Sequence, residues 1–206
     1  MDKKILKLLN ELDKTRGDFW NISKETGVFL NTLIRTSNIK KILEIGTSNG
    51  VSAIYMAEAL KEKAKLLKKK SSAKSSTKPT SIRSQKTFHL YTIESNFKLR
   101  FPLATANFAK AKLEPYITQI LGHAPEVIPT KPQYFDLIFL DATKYEHVDY
   151  LKAIISRTRK GSIIITDNAI SHKEALTPYF KAISKLKNFQ TNLVEIGSGL
   201  LISVGT

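Results

Sequence analysis

Five short stretches of this chain hold residue types that could do chemistry: Glu44-Ile45-Gly46, Glu94-Ser95-Asn96, Gly122-His123-Ala124, Asp141-Ala142-Thr143-Lys144 and Asp167-Asn168. Each follows an apolar run that reads as a strand, and four of the five contain an acid. An acid at the tip of a buried strand carries a desolvation cost, which points to a ligand or a metal. Asp141, Asp167 and Asn168 offer three oxygen donors. That set suits a hard octahedral cation such as Mg²⁺ and has nothing that would select zinc. The plainer reading is that the two acids cap helices. Lys144 is the candidate general base, because a helix start and a nearby cation both push a lysine toward its neutral form. A solvated surface lysine is the alternative. His147, three positions on, could assist, whereas His172 reads as structural.

The run Glu44-Ile45-Gly46-Thr47-Ser48-Asn49-Gly50-Val51-Ser52 reads as strand, tight turn and helix start, where glycines let a ligand approach the backbone. The spacing is GxxxG rather than GxGxxG, with Ser48 where a middle glycine might be, which disfavours a nicotinamide dinucleotide. Glu44 would repel a pyrophosphate and suit a cationic ligand. Glu94 ends the next strand and can accept both hydroxyls of a ribose. As a helix-start acid it would need no ligand.

These stretches need elements to hold them. Apolar spacing predicts a first helix over residues 3–16, and a second, capped by Ser23, that buries Val28, Phe29, Leu33 and Ile34. Strands follow at Lys41–Ile45, Phe88–Ile93, Ile117–Leu121, Phe135–Leu140 and Ser162–Thr166. Helices lie between them, from Val51, from Phe97 to Leu113, and from Lys144, where Thr143 and Glu146 are spaced as a capping box. A second box, Ser171 and Glu174, opens a helix to Lys185. Gln190–Ile196 and Leu200–Val204, joined by Gly197-Ser198-Gly199, must be an antiparallel hairpin. The alternation predicts an α/β fold: a doubly wound, Rossmann-like sheet, mostly parallel with a C-terminal antiparallel hairpin and helices on both faces. Ligands in such sheets bind beyond the carboxyl ends of the strands.

The 206 residues allow one domain of ordinary size, 42% apolar and 25% charged. With no cysteine, disulfides, thiolate zinc sites and cysteine nucleophiles are excluded. No apolar run approaches a membrane span of about 20 residues, and the N-terminus lacks a signal-peptide core. These features read as a cytoplasmic protein with no membrane partner. The net charge is +15, yet residues 61–86 hold ten basic side chains and one acid, leaving +6 for the rest. This basic, low-complexity insertion, polar throughout 68–86, reads as disordered or mobile. A basic loop argues less strongly for a polyanion partner than a basic body would.

ILEIGTSNGVS, YTIES, GHAPEVIP, FDLIFLDATKYEHVDYL, GSIIITDNAIS and GSGLLIS occur in the order seen in class I S-adenosylmethionine-dependent O-methyltransferases. The set resembles the metal-dependent catechol and caffeoyl-CoA type and its bacterial relatives, some of which modify wobble uridine in tRNA. The resemblance runs from Ile22 to Val204 without 61–86. It implies an N-terminal helical cap, 1–37, on a methyltransferase domain, 38–206. It implies cofactor contacts at Ile22, Glu44, Gly46, Thr47, Ser48, Gly50, Ser52, Glu94, Ser95, His123, Ala124 and Asp141. Ser52 would touch the methionine carboxylate, Glu94 the ribose, and His123 with Ala124 the adenine; His123 is equally readable as a plain loop residue. It further implies catalysis by Lys144 and Asp141 and a Mg²⁺ held by Asp141, Asp167 and Asn168. The acceptor would be a small catechol-like hydroxyl compound, met by Phe19 and Trp20 unless Trp20 is ordinary packing. A tRNA acceptor, a non-catalytic nucleoside- or RNA-binding module and a homodimer are the further readings it leaves open.

Overall fold

In the computed structural model, which describes residues 1–72 and 87–206, strands β1 (Lys41–Ile45), β2 (His89–Glu94), β3 (Ile117–Leu121), β4 (Leu137–Leu140), β5 (Ile163–Thr166), β6 (Phe189–Val194) and β7 (Leu200–Gly205) form one sheet. Their order is β3-β2-β1-β4-β5-β7-β6. The first five run parallel, and β7 pairs antiparallel with both β5 and β6. The expected doubly wound sheet with a C-terminal hairpin is therefore the fold.

Strand residues alternate between two apolar layers, as a period of two requires. Ile42, Leu137, Phe139 and Ile165 face one way, against α1 (Lys3–Asp13), α3 (Lys24–Thr36), α4 (Val51–Ser72) and α5 (Arg100–Ala111). Leu43, Ile45, Ile138, Leu140 and Ile164 face the other, against α6 (His147–Ile155) and α7 (Lys173–Ile183). The central strands are buried on both faces and so read as continuous apolar runs. A short helix, α2 (Arg16–Phe19), links α1 to the rest of the N-terminal segment.

The helices depart from the sequence expectation in four places. Ser23 does cap α3, accepting from the Thr26 amide at 3.1 Å. However, α3 buries Thr26, Gly27, Leu30, Asn31 and Ile34, and Val28 is exposed. The cause is α4: the Tyr55 ring occupies the space of a Cβ on Gly27, and Asn31 Nδ2 donates to the Tyr55 carbonyl (2.8 Å) and to Glu58 (2.7 Å). α4 also runs on to Ser72, so residues 68–72 of the stretch read as disordered are helical; residues 73–86 lie outside the described residues. Neither capping box forms. Thr143 gives no side-chain cap, Lys144–Glu146 is a 3₁₀ turn, and the Glu146 carboxylate is taken by Tyr150 and His123. At α7 the N-cap is His172, and the Ser171 hydroxyl bonds the His172 ring instead (3.0 Å).

One side chain ties the cap helices to the sheet. Lys63 Nζ, from α4, donates to the carbonyls of Ile34 (2.9 Å), Ser37 (2.5 Å) and Ile39 (2.9 Å), where α3 ends and the chain turns into β1. These are charge-assisted bonds to helix-end carbonyls that have no partner inside the helix. No helix among the described residues is long and apolar enough to cross a membrane. Lys63→Met should lower the melting temperature by roughly 3–8 °C, from a loss of about 1–3 kcal/mol. Thermal denaturation followed by circular dichroism measures it, and an unchanged midpoint would show that this tie contributes nothing.

Candidate functional site

The C-terminal tips of β1 and β4 meet at Gly46. A Cβ built there would fall 2.2 Å from the Asp141 carbonyl oxygen, and φ is +102°, so only glycine fits. Asp141 N donates to the Ile45 carbonyl at 2.9 Å from the other side. This contact sets the loop after β1, residues 46–50, against the loop that carries Asp141 and Lys144.

Glu44 lies fully buried beneath that loop. Its two oxygens accept from the hydroxyls of Ser52 and Thr92, each at 2.5 Å. Burial pushes its pKa up to about 8; the two hydroxyl bonds oppose that shift, and Asp141 and Glu94 add to it. The Ser52 hydroxyl, expected at a methionine carboxylate, donates a hydrogen bond to Glu44 and supports it. Thr47 joins the same network, 2.5 Å from the Thr92 hydroxyl.

Glu94, at the tip of β2, is 6% exposed. It accepts from the backbone amides of Ser48 and Asn96, both at 2.8 Å. A carboxylate has about four acceptor positions, so capacity is left for two ribose hydroxyls. Ser48 has φ +49° and donates its hydroxyl to the Phe19 carbonyl at 2.7 Å, which draws α2 over the loop. Trp20 follows, 76% exposed, with the Arg100 guanidinium 4.9 Å from its ring centroid. Ser95 is exposed beside Glu94.

Two further residues expected at the cofactor are engaged within the protein. The Ile22 side chain is packed in the core with Leu9, Val51 and Tyr55, which leaves only its backbone for a ligand. Both nitrogens of His123 are occupied, Nδ1 by Glu126 (3.2 Å) and Nε2 by Glu146 (3.1 Å), and the Glu126 bond with both negative charges raises its pKa. Ala124 beside it is buried.

At the tips of β4 and β5, neighbours in the sheet, the acids are arranged differently. Asp141 accepts from Lys144 Nζ at 2.9 Å, both side chains being 14% exposed. Burial raises the Asp141 pKa, and the lysine opposes it. Asp167 is 2% exposed, and its Oδ1 is buried with no hydrogen-bond partner. Burial and the Asp141 charge push its pKa up to about 7, against the Asn168 amide, Lys144 and Arg16. Asn168 has φ +63°, with its side-chain nitrogen 3.4 Å from the Ser171 hydroxyl. Lys144, the candidate general base, is thus placed as the donor to Asp141. No group of three or more His, Cys, Asp or Glu that could hold a metal occurs among the described residues. The donors available are two carboxylates and one amide, and the unpartnered Asp167 oxygen is the feature that fits a cation. His147 does not join them. It is fully buried between Tyr150 and Tyr179, with Nδ1 3.0 Å from the Thr143 carbonyl, and braces the Lys144 turn from behind.

Sequence reasoning missed Thr92, Arg16 and Asn107. Asn107 had a legible signal, because it is the polar residue on the α5 face that buries Ala104, Phe108 and Ala111.

Comparison with known proteins places the chain among methyltransferases. Residues 43–169 match a family described as a methyltransferase domain, and residues 2–78 one described as O-methyltransferase. A catechol O-methyltransferase of Niastella koreensis is 27% identical over 179 residues, covering 85% of this chain and 70% of that protein. One of Mycobacterium tuberculosis is 27% identical over 150 residues, covering 72% of this chain and 57% of that protein, little more than half its length. The crystal structure of an O-methyltransferase from Bacillus cereus in complex with SAH has a TM-score of 0.75 and 20% identity, covering all of this chain and 92% of that one.

The buried imidazole gives a pH prediction. Burial, with Lys144 nearby, lowers the His147 pKa from 6.5 to about 4. A group that must stay neutral to fold stabilises the protein above its unfolded pKa and loses that contribution as pH falls. Stability should therefore drop between pH 6.5 and 4, by up to about 3 kcal/mol from this group. Urea unfolding across that range should show a shallower loss for His147→Gln; identical pH profiles would contradict the assignment.

Proposed function

The chain belongs to the methyltransferase-domain family, among its S-adenosylmethionine-dependent O-methyltransferases, and on that premise we propose that it methylates a hydroxyl oxygen of a small acceptor with neighbouring oxygens, as in a catechol. The observation that carries the acceptor side is the Asp141–Asp167 pair at adjacent strand tips, with Asp167 Oδ1 buried and unpartnered. Leaving a carboxylate oxygen so is costly without a cation or donor. Asp141, Asp167 and Asn168 would hold a divalent cation of Mg²⁺ type. When bound, it supplies a positive centre that lowers the pKa of the acceptor hydroxyl, while the methyl donor supplies an activated methyl group.

The chain's own residues do the remainder. Glu94 accepts the ribose hydroxyls, and its two backbone donors keep the carboxylate oriented toward the cleft. The loop 46–50 receives the methionine end without a Cβ in the way at Gly46. Lys144 takes the acceptor proton once it has left Asp141 and given up its own extra proton to solvent. α2, pinned by Ser48, excludes water over the cofactor.

A second reading keeps the reaction and changes the acceptor to tRNA. It is favoured by the rim beside Glu94, where Trp20 and Phe97 are exposed and each carries a cation over its ring, Arg100 at 4.9 Å and Lys98 at 5.7 Å. Exposed aromatics with adjacent Arg and Lys suit single-stranded nucleic acid. Methyl transfer from labelled cofactor to a catechol panel and to unmodified bulk tRNA separates the two, and RNA binding should weaken steeply with salt.

Asp167→Asn removes a buried charge and its repulsion with Asp141, so the metal-free protein should be as stable as wild type or more so near pH 8. Turnover should nevertheless fall at least 100-fold, with cofactor affinity retained. Activity in EDTA and after added Mg²⁺ checks this, and full wild-type turnover in EDTA would remove the cation from the mechanism.

A further inference from the structure

The loop that faces the cofactor is also held from behind, by α5. Asn107 is 1% exposed, and its Nδ2 donates to the Asn49 carbonyl at 2.9 Å, 58 positions earlier in the chain. The next residue, Phe108, lies under Gly50. A Cβ built on that glycine would fall 2.6 Å from the ring, and φ there is +93°. The two contacts fix the last two residues of the loop, one by a directed bond and one by shape.

α5 reaches the cofactor cleft at its other end as well. The Asn96 side chain accepts from the Leu99 amide (2.9 Å), and the Asn96 amide donates to Glu94 (2.8 Å). The helix that begins after Glu94 thus also backs the loop 46–50, which Glu94 itself meets through the Ser48 amide. The cost is visible. Asn107 Oδ1 and both side-chain atoms of the fully buried Asn49 have no partner among the described residues. A helix face otherwise made of Ala104, Phe108 and Ala111 would be better filled by an apolar residue if stability alone decided.

We infer that Asn107 is a positioning residue for the methionine end of S-adenosylmethionine, acting through the Asn49 carbonyl. This rests on the reading that the loop 46–50 receives that end of the cofactor. Without Asn107 the loop loses its one directed tie to α5 while Glu94 keeps its own contacts. The effect falls mainly on the half of the cofactor that Asn49 and Gly50 meet, because Ser48 keeps its own bond to Glu94.

The test compares two ligands on one protein. S-adenosylhomocysteine spans both halves of the cleft, whereas adenosine lacks the methionine end. Calorimetry on Asn107→Ala should show S-adenosylhomocysteine weakened about 5- to 10-fold, the scale of one lost hydrogen bond, with adenosine affinity unchanged. In turnover, KM for the methyl donor should rise while kcat changes less than twofold. Asn107→Ser keeps a donor in a smaller side chain; it should recover part of the affinity and serves if the alanine variant does not fold. The ratio of the two affinities is insensitive to the fraction of folded protein. Equal weakening of both ligands would make Asn107 merely structural, and no weakening of either would show that the tie is irrelevant; each overturns the inference. Wild type that binds neither ligand would instead overturn the cofactor reading itself.

Discussion

Four carboxyl groups are buried at one end of one sheet, and the rest of the site follows from how each is accommodated. Glu44 is met by two hydroxyls, Glu94 by two backbone amides, Asp141 by a lysine, and Asp167 is left with an oxygen unpartnered. Burial raises the pKa of Glu44, Asp141 and Asp167, with Lys144 opposing the shift at Asp141. Two neutral hydroxyls do less for Glu44, whose pKa stays at about 8. Four acids that look alike in the sequence therefore sit in four different settings: two hydroxyls, two backbone amides, a lysine, and one oxygen with no partner among the described residues.

Those differences depend on how closely two loops approach. The absence of a Cβ at Gly46 lets the Asp141 carbonyl come within contact of the first loop. Phe108 uses the same freedom at Gly50 from the other side. The loop is clamped between the strand that carries the acceptor-side acid and the helix that follows the ribose-side acid. On the proposed function this clamp would hold cofactor and acceptor in one geometry, which is where a methyl-transfer enzyme gains much of its rate.

The sheet was legible because its signals are local and repeated: apolar runs of strand length, Gly46 and Gly50 at a turn, and a hairpin forced by Gly197-Ser198-Gly199. The positions of Glu94, Asp141, Asp167 and Asn168 followed from strand ends. Partnerships were not legible, because they join residues far apart in the chain. Thr92 takes one oxygen of Glu44 from a neighbouring strand, and His123 is held by Glu146 across 23 positions. The capping boxes failed for the same reason: spacing alone proposed that Glu146 would turn back to its own helix start, and Tyr150 and His123 compete for it successfully. Val28 was placed inside by periodicity, whereas the Gly27–Tyr55 contact rotates that helix face outward.

The central claim is that Glu94 is the ribose acceptor of a nucleoside-containing cofactor, kept free for that role by its two backbone donors. Calorimetric titration of S-adenosylhomocysteine into wild type and Glu94→Ala, with circular dichroism to confirm that both are folded, tests it most directly. The account predicts affinity weaker by about 10- to 150-fold, the loss of about 1.5–3 kcal/mol expected for a charge-assisted hydrogen bond. Equal affinity in a folded Glu94→Ala protein would contradict it.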